Sequence, residues 1–189
     1  MVQAAGMYNT LLSCSDPALI IEPLNAYRLK EKEPINIGEF NVPLGQVEYI
    51  SKGKDITVVS YGSTLKLVEK AIVELLKHDI EIELIDLQTL IPIDINMDIV
   101  KSLEKTNKLL IIDEDFPGGA SSHIMKVVLE DHDGFKFLDS KPVTLTAMDH
   151  RPPYGSDGDY FSKPSIDDIF ESCYKIMHEY SPKKYPLKF

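Results

Sequence analysis

The side chains in this chain that could do chemistry gather in four short clusters. Asp113-Glu114-Asp115 offers three carboxylates in a row, and hard oxygen ligands of that kind suit a divalent cation. Neighbouring side chains diverge at a strand end, however, and the run lacks metal-loop spacing, so it reads as a polar interface or solvated strand end. Gly118-Gly119 at a helix start could cradle an anion with backbone N–H groups. The pair is less than a full Gly-x-Gly-x-x-Gly, no Lys-Ser/Thr follows, and the acidic triplet before it repels phosphate. Tyr61-Gly62-Ser63 and Gly119-Ala120-Ser121 both miss the Gly-x-Ser-x-Gly elbow of a hydrolase nucleophile. His150 could serve as acid or base, although a loop histidine is more often solvated or at an interface. His78 falls at a helix C-terminus, where the dipole favours its cation. His123, His132 and His178 show no metal-ligand spacing, and Cys173 lies on an apolar helix face that places it in the core. The residues therefore yield no catalytic, cofactor-binding or metal-binding assignment within this chain.

These clusters need a scaffold, and the periodicity supplies one. Ile56-Thr57-Val58-Val59 is a short, largely β-branched strand of the kind buried on both faces of a parallel sheet. Gly62 and Ser63 turn it into a helix with Leu65, Val68, Ile72, Leu75 and Leu76 on one face and Lys66, Glu69, Lys70, Glu74 and Lys77 on the other. Ile80, Ile82, Leu84 and Ile85 return as a second strand, giving a βαβ unit. Asp94 can cap a helix over residues 95–105, and residues 108–112 form a third strand. A further helix begins near Ala120, and a fourth strand covers 143–148. Residues 150–163 are a Pro-, Gly- and Tyr-rich loop. Ser165 with Asp168 has capping-box spacing before a last helix whose apolar face is Ile166, Ile169, Phe170, Cys173, Ile176 and Met177. Alternating strands and helices give an α/β fold, a three-layer αβα sandwich with a mostly parallel sheet. Function in such sheets clusters at the carboxyl ends of the strands. Here those ends are Tyr61-Gly62-Ser63, Asp86-Leu87-Gln88-Thr89, residues 113–119 and residues 149–154.

Four regions follow. Residues 1–28 read as the tail of a preceding domain: Met7-Tyr8-Asn9-Thr10-Leu11-Leu12 ends a helix, Ala18-Leu19-Ile20-Ile21 is a short strand, and such a piece cannot bury its own apolar face. Residues 29–54, with Pro34 and Pro43, form a linker; 55–180 form the domain; and 181–189 form a tail without a core-forming pattern. The net charge of −10 over 189 residues argues against nucleic acid or an anionic membrane and for solubility or a basic protein partner. Two cysteines make neither a disulfide framework nor a zinc pattern, which suits a reducing compartment. No apolar run approaches the roughly 20 residues of a membrane span.

In combination, the strand-end motifs resemble the C-terminal domain of the transketolase superfamily. They most resemble the beta subunit of the decarboxylating component of 2-oxo acid dehydrogenases. The segments, in family order, are Leu11-Leu12-Ser13-Cys14, Ile21-Glu22-Pro23 with Tyr27-Arg28, and Val42-Pro43-Leu44-Gly45. Then come Ile85-Asp86-Leu87-Gln88-Thr89-Leu90-Ile91-Pro92-Ile93-Asp94, Asp113-Glu114 with Gly118-Gly119, and Asp149 with Pro153-Tyr154. The Glu22-Pro23 and Val42–Gly45 segments favour the dehydrogenase over transketolase or deoxyxylulose phosphate synthase. The chain departs from the family in the short spacing from Cys14 to Glu22, in Phe116-Pro117, and in the loop 150–163.

The resemblance implies an enzyme that uses thiamin diphosphate and magnesium to decarboxylate a 2-oxo acid and pass the acyl group to a lipoyl arm. It also implies that the cofactor and the catalytic groups sit in other domains. This region would then pack subunits together, against an alpha subunit or domain and as a homo-oligomer, and help dock the lipoyl acyltransferase core. A cytoplasmic or mitochondrial-matrix location fits that role. The alternatives are another transketolase-like enzyme, a non-catalytic α/β assembly module and, last, a flavin or nucleotide module.

Overall fold

A computed structural model describes residues 2–33, 35–155 and 157–187; Pro34 of the linker and Ser156 of the 150–163 loop lie outside the described residues. The elements are α1 (Val2–Leu12), β1 (Glu48–Ser51), β2 (Ile56–Ser60), α2 (Leu65–Leu76), β3 (Ile82–Asp86) and α3 (Asp98–Thr106). They continue with β4 (Leu109–Ile112), α4 (Ala120–Lys126), β5 (Val143–Leu145), α5 (Gly158–Ser162) and α6 (Ile166–Tyr180). The five strands lie in the order β1-β3-β2-β4-β5. All pairs are parallel except β1 with β3.

Every residue of β2, β3 and β4 is buried, because helices cover both faces of the sheet. On one face Ile56, Val58, Leu84, Leu110 and Ile112 meet Val68, Ala71 and Leu75 of α2 and Ile169, Cys173 and Met177 of α6. On the other, Val59, Ile85 and Ile111 meet Ile99, Val100 and Leu103 of α3 together with Ile124, Val127 and Val128. Two cores sharing one sheet are the three-layer αβα sandwich that the alternation of elements implied.

The polar groups buried around Thr57 on the second face are paired. Thr57 Oγ1 lies 2.6 Å from the hydroxyls of both Ser102 and Thr106. Ser102 donates to Glu83 at 2.5 Å, and Glu83 is ion-paired with Lys105. A charge buried without such partners would cost several kcal/mol, on the order of 3–5.

The local signals hold where they are strong. Ser165 and Asp168 form the full capping box at the start of α6. Asp94 caps α3 by accepting from the N–H groups of Asp98 (2.8 Å) and Ile99 (2.9 Å). That helix starts at Asp98 rather than at 95, after Met97 takes a left-handed conformation (φ 56°).

Other expectations need correction. Ala18-Leu19-Ile20-Ile21 is not a strand: a strand needs a neighbour for its N–H and C=O groups, and no described residue pairs with it. Leu76 is 51% exposed, so α2 buries Ala71 instead. A strand, β1, arises within the stretch read as linker, and the 150–163 loop contains α5. The tail has a core residue after all: Tyr185 is 3% exposed, packs edge-on against Tyr174 at 6.2 Å and donates to Asp79 O at 3.2 Å.

Candidate functional site

At the carboxyl edge of the sheet, Tyr61 and Ser63 are bonded to the acidic triplet 113–115, while the Asp86–Thr89 segment and the 149–154 loop make separate contacts. Asp113, at the end of β4, is fully buried. Its Oδ1 accepts from Tyr61 OH at 2.6 Å and from Asp115 N–H at 3.0 Å. Its Oδ2 accepts from Ser121 N–H at 2.8 Å. The carboxylate thus occupies the N-terminus of α4, the place where Gly118-Gly119 would have held an anion. Burial first, and then the hydrogen bond to Asp113, push the Tyr61 phenol far above its usual range, so it stays a donor.

The rest of the acidic triplet diverges. Glu114 accepts from Ser63 Oγ at 2.5 Å and lies 3.4 Å from Lys163 Nζ. Asp115 accepts from Phe116 N–H at 2.8 Å, and its carboxylate fills the space that a Cβ on Gly119 would need. Among the described residues, no three His, Cys, Asp or Glu side chains converge as a metal site would require.

At the end of β3, Asp86 stands directly across from Glu48 of β1. Asp86 is 9% exposed and accepts from Gln88 N–H at 3.0 Å. Burial, with some help from the Glu48 charge, pushes its carboxyl up to about 6. Glu48 in turn accepts from Gln88 Nε2 at 2.9 Å and from Gln3 Nε2 of α1 at 2.9 and 3.2 Å. Thr89 Oγ1 accepts from Gly45 N–H at 2.9 Å and donates to Pro92 O at 2.7 Å. No sequence signal pointed to Glu48 or Gln3, because their roles depend on a pairing across 40 residues of chain.

The histidines are spread apart. His150 is exposed, with Nδ1 2.9 Å from Arg151 O and its ring 5.8 Å from Phe161. His78 packs edge-on against Phe170 and Tyr174. His123 Nε2 lies 3.2 Å from Leu90 O, and His178 Nδ1 lies 2.7 Å from Tyr185 O. His132 keeps a buried Nδ1 without a partner. Cys173 is sealed in the core, and burial pushes its thiol up to about 12. Two open surface grooves flank this edge. One, of about 400 Å³, runs along Ser121, Ser122, Met125 and Thr144, and the other, of about 440 Å³, along Pro153, Tyr154 and Phe161. Neither sets a Ser or Cys against a His.

Comparison with known proteins agrees with this geometry. Residues 45–163 match the family "Transketolase, C-terminal domain". The chain is 31% identical over 175 residues to the pyruvate dehydrogenase E1 component subunit beta of Mesostigma viride, covering 92% of this chain and 52% of that one. It is 30% identical to the same subunit of Acholeplasma laidlawii, covering 88% and 50%. It is 28% identical to the mitochondrial 2-oxoisovalerate dehydrogenase subunit beta of Chaetomium thermophilum, covering 93% and 36%. Among solved structures, a split-gene transketolase described as an inactive beta4 tetramer matches with a TM-score of 0.58 at 18% identity, covering 74% of this chain and 44% of that one. The chain spans about half the length of the first two of these curated relatives. A matched segment of this size, carrying the sheet and the acidic strand ends together, means that this chain belongs to the transketolase C-terminal domain family.

Proposed function

We propose that this chain is the C-terminal region of the beta subunit of a 2-oxo acid dehydrogenase's decarboxylating component. Its role there is assembly, with an alpha subunit or domain and with further copies, and docking of the lipoyl acyltransferase. The observation that carries this reading is the similarity to E1 beta subunits over about nine-tenths of the chain. The engaged state of the strand-end groups supports it. A diphosphate needs free N–H donors and positive charge, and this edge offers Asp113 at a helix N-terminus with Glu114 and Asp115 beside it. The residues present do not fit thiamin diphosphate, so no step of the reaction is assigned to them. The relatives' names leave pyruvate and a branched-chain 2-oxo acid as the candidate substrates of the whole enzyme.

Two measurements test the reading. Calorimetry with thiamin diphosphate and Mg²⁺ should register no binding to this chain, and tight binding would overturn the division of labour. Pull-down with the subunit-binding domain of a 2-oxo acid dehydrogenase acyltransferase should retain the chain. If nothing is retained, the docking role fails.

A further inference from the structure

Glu48 and Asp86 are directly opposed in the antiparallel β1–β3 pair. Two negative charges in that position repel, where most cross-strand pairs are neutral or of opposite sign. The pair is also a mechanical junction. Helix α1 is tied to residues 37–42 by Asn9, Thr10 and Gly6. Its link to the sheet runs through Gln3 Nε2 to Glu48. Glu48 is steadied from the other side by Gln88, whose backbone N–H is held by Asp86. Asp86 therefore touches both the charge and the geometry of the residue that α1 holds.

We propose that Asp86 and Glu48 form an acid-tightened latch: a proton on Asp86 lets Glu48 hold Gln3 and α1 against the sheet edge, and loss of that proton to solvent loosens the hold. The surroundings favour this. Glu48, from β1, is the charged side chain set against Asp86, while Ser60 of β2, Gln88 after β3 and Gln3 of α1 are neutral. Among the described residues, no cation is among the groups that shift Asp86. The sign follows from linkage. Burial is the main reason the Asp86 carboxyl is raised to about 6, and that part stays with β3. The part supplied by the Glu48 charge is lost when Glu48 is released, so Asp86 binds its proton more tightly when the latch is closed. The added stability is present at low pH and is lost as pH rises through about 6.

Hydrogen exchange of α1 amides, corrected for the intrinsic pH dependence of the rate, reads this directly. Opening of residues 2–12 should increase severalfold between about pH 4 and 8, by the share of the Asp86 shift that the Glu48 charge, rather than burial, supplies. Asp86→Asn and, separately, Glu48→Gln should flatten the dependence, since either removes the opposed pair. Retention of the wild-type slope in either folded variant would overturn the latch. Carbon-13 titration of the Asp86 carboxyl in the unmodified chain is an independent check. A midpoint near 6 supports the proposal, and one in the ordinary aspartate range sinks it.

Discussion

Asp113 collects a phenol and two backbone N–H groups on one buried carboxylate. Replacement by Asn turns one acceptor oxygen into a donor that faces another donor. The expected loss is about 2–4 kcal/mol, the range for a broken buried network around a charged acceptor. Urea denaturation of Asp113→Asn measures it, and an unchanged midpoint would refute the structural role given to this residue. The two cysteines differ as sharply. Cys14 is exposed, whereas Cys173 is sealed and its thiol is pushed up to about 12, so no thiolate is present near neutrality. A thiol reagent at pH 7 should label one cysteine in the native chain and the second only in denaturant. Rapid labelling of both would contradict the packing of α6. The helix-face pattern already placed Cys173 in the core, and capping-box spacing already marked Ser165 and Asp168. Tyr61 gave no such notice, because its partner lies 52 residues away.

At the scale of elements, the β1–β2 turn shows how closely two segments can approach. A Cβ on Gly53 would overlap the backbone of Glu81, Ile82 and Glu83, where Lys54 and Asp55 donate to Glu81 O at 3.2 and 3.0 Å. Backbone cannot yield as a flexible side chain can. Gly53→Ala should therefore cost about 2 kcal/mol or more, by opening the turn that aligns β1 with β3. Thermal unfolding checks this, and a melting point within a degree of the parent's would count against it. Elements with strong periodicity were legible in the sequence: β2, β3, β4, α2 and α6 fall where their apolar spacing puts them. β1 was not, since Glu48-Tyr49-Ile50-Ser51 has neither alternation nor an apolar run and becomes a strand only by pairing with β3.

For the whole molecule, the N-terminal stretch is the part the sheet does not cover. Leu19 is 86% exposed and Ile21 80%, with Leu12, Leu24 and Tyr27 exposed nearby. Apolar side chains exposed at this density along one stretch are the kind that a partner surface covers. Sedimentation velocity should show association that increases with concentration. Leu19→Ser together with Ile21→Ser should weaken it, and unaltered association would place the interface elsewhere. Among the described residues no helix is long and apolar enough to cross a membrane.

The sequence by itself determined the α/β layering and the resemblance carried by the strand-end motifs. Hydrophobic period and turn chemistry are local, and they act over one or two elements. The tertiary structure decided what the carboxylates do. Whether Asp113 grips a ligand or caps its own helix, and whether Asp86 meets a cation or Glu48, depends on strands brought together from distant parts of the chain. Those pairings are set by burial of the two cores, a collective property that no single motif contains.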